Sequence, residues 1–138
     1  MAPESATLLG MVVVLFSLGY FAMASVPFLF VKLDVPEVWR LFRGLINIYF
    51  RVVPLVGVVA AGALSVNGHY AMVAALLLLA TATLSARRPV LARIATRALA
   101  GRAGDRAAMR QLRQFHWSAM AVNIALLALA IASMAFIF

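Results

Sequence analysis

Polar side chains within apolar stretches of this sequence are the residues best placed to bind or react with another molecule. Five of them form a candidate ligand-binding cluster: Asn47, Arg51, His116, Asn123 and Tyr20. A charge inside a membrane helix is costly and by default marks function. Arg51 would lie roughly 7 Å inside a span that begins near Ile46. The alternative is that Arg51 extends its side chain to the lipid headgroups.

Asn47 and Arg51 belong to a stripe that is polar at one end and small at the other. Its members recur at helical spacings of three and four: Arg40, Arg43, Asn47, Arg51, Pro54, Val58, Ala61, Gly62 and Ser65. The stripe predicts either a cytoplasm-facing cavity for an anionic or polar group, or a close-packed helix contact. Trp39, Phe42 and Tyr49 lie on other faces, where an aromatic belt is expected.

His116 and Asn123 are seven residues apart and therefore share one face of the last apolar stretch. A histidine at a span boundary is also typical of the membrane interface. The amide of Asn123 should find a partner inside the bundle. A second stripe lies nearly opposite: Ser118, Ala121, Ala125, Ala128, Ala132 and Ala135. Through Ala121, Ala125, Ala128 and Ala132 we expect contact with another copy of the chain or with a partner protein.

Several other chemistries lack the residues they need. The chain has no cysteine, which removes disulfides, thiolate catalysis and cysteine-ligated metal or haem. Its two histidines, His69 and His116, are far apart in sequence and have no clustered carboxylate. The apolar stretches carry no acidic residue, which disfavours a carboxylate proton relay. We therefore predict no metal and no cofactor, and these residues predict no particular reaction.

The composition indicates that lipid is the solvent of this chain. Of 138 residues, 66% are hydrophobic and 12% are charged, whereas soluble domains are about 45–50% apolar and about 25% charged. We predict an all-α, integral membrane four-helix bundle that forms a single domain, residues 1–138. The spans are placed at about 7–31, 46–66, 70–86 and 116–138, with an Arg-rich connection over 87–115.

The basic residues predict the orientation. All twelve Lys and Arg residues fall on one side of the four-span arrangement, in the first and third connections or beside them. Positive residues are retained in the cytoplasm, so both termini are expected outside it. The protein is thus expected to be a multi-pass protein of the cell inner membrane. The same pattern explains the net charge of +8, so the charge does not indicate nucleic-acid binding. The expected partner is the lipid bilayer.

The connections contain helix signals of their own. Asp34 with Glu37 resembles a capping box, which predicts that the second helix begins near Val35. In the Arg-rich connection we predict a short amphipathic helix that begins at Pro89, lies in the headgroup layer and is broken by glycines at 101 and 104. Asp105 is then predicted to cap a helix that continues into the last span.

Two segments resemble the uncharacterised transmembrane-protein-205-like family of four-helix membrane proteins: VPFLFVKLDVPEVWRLFRGLINIYFRVVPLVG and LRQFHWSAMAVNI. Members of that family pair a P-x-L/F-F exit from the first span and an F…YF entry to the second with a late F-H…S…N. The matching positions here are Pro27, Phe30, Phe42, Tyr49, Phe50, Phe115, His116, Ser118 and Asn123. The resemblance covers most of the chain and implies the fold more than an activity.

Two further families have a similar layout. One is the anthrone-oxygenase-like family of small membrane proteins. The other is the haem-dependent protoporphyrinogen oxidase family, whose first-span histidine has no counterpart here, and this departure argues against haem.

Three functions follow as expectations. The preferred one is a protein that binds a small amphipathic molecule or serves as an accessory subunit of a membrane complex. The alternative is a small membrane oxidoreductase or oxygenase, cofactor-free or of the haem type, that uses His116, Arg51 and Asn123. A transporter subunit is the second alternative, and it would require oligomerisation because four helices are few for a carrier.

Overall fold

The computed structural model describes residues 3–137, and its elements over that range are helical, with no strand. They are α1 (Pro3–Ser25), a 3-10 turn (Val26–Leu29), α2 (Pro36–Ser65), α3 (Tyr70–Arg102) and α4 (Arg106–Ile137). All four α-helices are long and apolar enough to cross a membrane. The predicted all-α architecture with four such helices is confirmed. Phe138, where the last span was predicted to end, lies outside the described residues.

The first helix ends earlier than the predicted span. Its α-helical hydrogen bonding stops at Ser25, and the chain continues as the 3-10 turn, which contains Pro27 near its start. Proline has no backbone N–H, so Pro27 removes one hydrogen bond of the α-helical ladder at this point. The turn closes where the N–H of Phe30 donates to the carbonyl of Pro27 at 3.2 Å.

The second helix begins one residue after the predicted position, but not by the predicted cap. Val35 is the N-cap, and no side chain caps the helix, so the capping box of Asp34 and Glu37 is wrong. Pro36 occupies the first turn, where its fixed φ suits a helix start and its missing N–H costs nothing. The first helical bond runs from the N–H of Trp39 to the carbonyl of Val35 at 2.8 Å.

The third helix extends into the region that was predicted to be an Arg-rich connection. We expected a separate amphipathic helix from Pro89, whereas α3 continues through Pro89 to Arg102. Ile94 and Ala98, each 1% exposed, face the bundle rather than a headgroup layer. They pack in a cluster with Leu33, Trp39, Phe42, Ile46 and Leu112. Burial of this face offsets the single backbone hydrogen bond that Pro89 removes.

Two tight turns reverse the chain between α2 and α3 and between α3 and α4. Each contains a glycine with positive φ, Gly68 at +76° and Gly104 at +96°, a conformation that glycine adopts without a steric penalty. Asp105 then caps α4 as predicted, because its Oδ1 accepts from the N–H groups of Ala107 at 2.9 Å and Ala108 at 3.1 Å.

The tight turns make α2, α3 and α4 successively antiparallel, and hydrogen bonds tie both ends of the bundle. At one end, Nδ2 of Asn67 donates to Oγ1 of Thr7 at 2.6 Å. At the other, Arg113 donates to the carbonyls of Leu29 at 2.7 Å and Val31 at 3.0 Å. We call this second end the basic end, because every Lys and Arg lies on its side of the bundle or at mid-helix.

Candidate functional site

A cavity of about 400 Å³ lies between the helices, and all four contribute to its walls. We call it the central cavity. Most of its lining is apolar. The side chains with polar atoms are those of Ser25, Tyr49, Thr83, His116, Ser118 and Asn123. Small-molecule sites in proteins typically have this size and this mixture of apolar walls and few polar groups.

His116 is almost completely enclosed, at 1% exposure. Its ring packs edge-to-face against Phe42, with centroids 5.1 Å apart, and near Phe28 at 6.3 Å. Its Nε2 lies 3.1 Å from the carbonyl oxygen of Ser25. A carbonyl only accepts, so Nε2 carries the hydrogen and, in the neutral ring, Nδ1 is a free acceptor. That Nδ1 has no hydrogen-bond partner.

Asn123 repeats this arrangement two turns along α4. It is 4% exposed, and its Nδ2 donates to the carbonyl of Leu18 at 2.9 Å. This bond fixes Oδ1 as the other end of the amide, and Oδ1 also lacks a partner. The inward orientation predicted for Asn123 is confirmed. A buried acceptor without a donor costs about 1–3 kcal/mol, so leaving these two atoms unpartnered is unfavourable.

Two further polar side chains of the wall, Thr83 and Ser118, form hydrogen bonds within their own helices. Oγ1 of Thr83 donates to the carbonyl of Leu79 at 2.6 Å, a bond within its own helix. The ring of Tyr49 packs edge-to-face on Phe21, with centroids 5.0 Å apart. His116 and Asn123 are separated by roughly 10 Å along the helix axis. The two unpartnered acceptors therefore lie at different depths of the bundle, on residues that line the cavity.

The cavity opens at the side of the bundle. Among its lining residues, Ala82 on α3 and Ser118 and Val122 on α4 are also exposed on the outer surface. These residues belong to neighbouring helices, so the cavity wall reaches the outer surface of the bundle between α3 and α4.

The structure separates the five residues predicted to form one cluster. His116 and Asn123 line the central cavity, but Tyr20 is 58% exposed and stacks only on Phe21. Arg51 is exposed and is not among the residues that line the cavity. As a member of the cluster, Arg51 was expected to point into the bundle, and that expectation is wrong. Its position on the outer face agrees with the alternative that its side chain extends to the lipid headgroups.

Asn47 lies at a second concavity, which has a volume of about 570 Å³ and is formed by α2 and α3. We call it the basic cleft. Its lining residues are Pro36, Trp39, Arg40, Arg43, Gly44, Asn47, Arg87, Leu91 and Arg102. Oδ1 of Asn47 accepts two hydrogen bonds from Arg87, from Nε at 3.2 Å and from Nη2 at 2.7 Å.

Several contributors to these sites were missed by the sequence reasoning. Tyr49 and Phe42 were placed in an aromatic belt, yet Tyr49 lines the cavity and Phe42 is fully buried against His116. Arg87 was counted only as a topological charge. Thr83 was not singled out at all. The contact between Asn47 and Arg87 could have been predicted from the antiparallel pairing of α2 with α3. That pairing brings the two residues to the same level on either side of the turn.

Within residues 3–137, no three His, Cys, Asp or Glu side chains come together closely enough to hold a metal ion. No family model, curated protein or solved structure matches this chain. Membership of the family that the sequence resembles therefore stays a prediction, and function has to be inferred from the two concavities themselves.

Proposed function

We propose that the protein is a multi-pass membrane protein that binds a small amphipathic molecule in the central cavity. The proposal rests on one observation: Nδ1 of His116 and Oδ1 of Asn123 are buried acceptors without donors on residues that line an apolar cavity. A ligand with a hydroxyl or N–H group would supply the missing donor. Its remaining surface would be apolar, to match the rest of the wall.

The side opening supports a ligand that arrives through the membrane. With the helices across a bilayer, the gap between α3 and α4 near Ala82 and Val122 faces lipid. A molecule dissolved in the lipid would enter there without crossing water. We place the basic end in the cytoplasm of the cell and both termini outside, in an inner membrane, since positive residues are retained on the cytoplasmic side.

An oxidoreductase that uses His116, Arg51 and Asn123 together is less well supported, because Arg51 does not line the cavity. No contact of the described residues favours a transporter subunit. An accessory subunit remains compatible with ligand binding, and we propose that α4 makes the required contact. Ala121, Ala125, Ala128 and Ala132 are all exposed on its outer face.

Two probes that differ in one hydrogen-bond donor test the proposal. 1-Naphthol carries a hydroxyl group, whereas 1-methoxynaphthalene has the same ring system without a donor. Titrated into the purified protein in uncharged detergent, 1-naphthol should bind about tenfold more tightly, the effect of roughly one net hydrogen bond. Fluorescence or calorimetric titration gives both dissociation constants. Equal affinities in the unchanged protein would contradict the proposal.

Variants of the two acceptors locate the effect. In His116→Phe and Asn123→Leu together, the preference for 1-naphthol should fall to about one, because the variant offers neither acceptor. His69→Phe is the matched control, since His69 lies in the α2–α3 turn and does not line the cavity. It should keep the preference. For each variant, the affinities for the two probes are compared with each other. A general change in packing would alter both affinities and would not by itself remove the preference for 1-naphthol.

A further inference from the structure

The basic cleft is built by residues from the first half of α2 and the second half of α3. Four of its nine lining residues are arginines: Arg40, Arg43, Arg87 and Arg102. No acidic side chain lines it among the described residues. Guanidinium groups stay charged at any physiological pH. Positive charge is thus concentrated around one concavity that the protein itself does not neutralise.

Arg87 is held in place within this cleft. It is half-buried, and both of its bonds to Asn47 use the amide oxygen. A guanidinium group has five N–H donors, so three remain after these two bonds. The amide nitrogen of Asn47 adds two donors more. The hydrogen bonds therefore orient a set of donors before any ligand arrives, which lowers the ordering cost of binding.

The helix backbone adds to the positive potential. Pro36 lines the cleft and opens α2, whose N-terminal turn has no side-chain cap. Free N–H groups and the helix dipole favour an anion there. Glu37 lies in the same turn but is not among the lining residues. Every polar group of the cleft is thus a donor or a positive charge, except the Asn47 oxygen that Arg87 already occupies.

We infer that the basic cleft binds a phosphate group. The guanidinium group of arginine binds phosphate oxygens through two parallel hydrogen bonds. Four arginines offer more donors than a single carboxylate can accept. Trp39 and Leu91 form an apolar part of the same wall, next to which the glycerol and acyl chains of a phospholipid would lie. Phosphate could come from an anionic lipid headgroup or from free phosphate, and both present the same group to the arginines.

Two titrations of the purified full chain in uncharged detergent distinguish these sources. One uses inorganic phosphate and the other uses short-chain phosphatidylglycerol, at equal ionic strength. Binding of either supports the inference. Phosphatidylglycerol binding at least tenfold tighter than inorganic phosphate identifies a lipid headgroup as the source, and comparable affinities identify free phosphate. If neither binds the unchanged protein, the inference is wrong.

Variants show whether the cleft is responsible. Arg40→Gln with Arg43→Gln should weaken binding at least tenfold, because two charge-assisted contacts are lost. The control Arg106→Gln with Arg110→Gln removes the same charge from exposed positions of α4 outside the cleft, and binding should change less than twofold. An equal loss in both pairs would show general attraction to a basic surface and overturn the inference. Arg102→Gln provides a second cleft variant if the first does not fold.

Discussion

Arg113 donates to two backbone carbonyls that follow α1, that of Leu29 at the end of the 3-10 turn and that of Val31 just beyond it. The last carbonyls of a helix have no partner within it, and a buried one is costly. A guanidinium group supplies two donors in a fixed geometry. One side chain of α4 therefore ties the exit of α1 in place.

Loss of this arginine should destabilise the fold. Arg113→Gln removes the positive charge and one of the two nitrogen atoms that donate to the carbonyls. We therefore expect the free energy of unfolding to fall by about 1–3 kcal/mol. Unfolding of the protein in mixed micelles by increasing SDS measures the change. Arg110→Gln is the control, because Arg110 is exposed on the same helix, and it should change stability by less than about 0.5 kcal/mol. Equal effects of the two variants would contradict the role given to Arg113.

Residue identity alone did not reveal this role. In the sequence, Arg113 and Arg87 are two of twelve basic residues, and their charges are equally explained by membrane topology. What distinguishes them is the acceptor each one reaches, Leu29 and Asn47, more than thirty residues away in the chain. Only the folded helices bring donor and acceptor together.

Helix α4 presents two different faces. Its buried polar face carries His116 and Asn123, both bonded to carbonyls of α1. The opposite stripe is exposed at Ala121, Ala125 and Ala128. Small side chains let two membrane helices approach closely and gain packing. The sequence prediction that the two faces differ is therefore consistent with the structure, whereas the occupant of the outer face stays a proposal.

Bulky residues in the stripe should prevent the proposed association. Ala125→Leu with Ala128→Leu adds side-chain volume where a second helix would pack, so the larger species should dissociate. Light scattering of the detergent-solubilised protein measures its mass. Ala71→Leu with Ala74→Leu makes the same change with the same spacing on an exposed part of α3 and should leave the mass unaltered. A monomeric starting protein, or a variant of unchanged mass, would refute the proposal.

For the molecule as a whole, the proposed orientation in the membrane rests on the distribution of charge. The two connections at the basic end, Phe30–Val35 and Ala103–Asp105, adjoin the arginine-bearing halves of the helices. The opposite end holds the Asn67–His69 turn, and the residues described there include no Lys or Arg. Positive residues resist transfer across the membrane, so the basic end should stay in the cytoplasm.

Reporter fusions test this orientation. Alkaline phosphatase placed after Phe138 should be active, and green fluorescent protein at the same position should be dark, because the C-terminus is expected outside the cytoplasm. The control is a fusion after Arg102, at the basic end of α3, where the two signals should reverse. Fluorescence from the fusion after Phe138 would place that terminus in the cytoplasm and contradict the prediction.

Local patterns in the sequence were enough to predict four long apolar helices, the tight turns that contain Gly68 and Gly104, and the side on which the charges lie. These are local properties, because a helix of about 20 apolar residues and a turn at Gly68 or Gly104 depend on neighbouring residues alone. It also indicated His116 and Asn123, whose seven-residue spacing is a local helical property.

Which polar residues meet depends on how the helices pack against one another. Helix periodicity places Arg51 and Asn47 on one face, yet Asn47 pairs with Arg87 while Arg51 points outward. Likewise, the face of α3 beyond Pro89 is buried because α2 and α4 cover Ile94. From the local sequence, an apolar face covered by other helices looks the same as one covered by lipid. A side chain's partner depends on the rotation of each helix against its neighbours. Packing between segments distant in sequence sets that rotation.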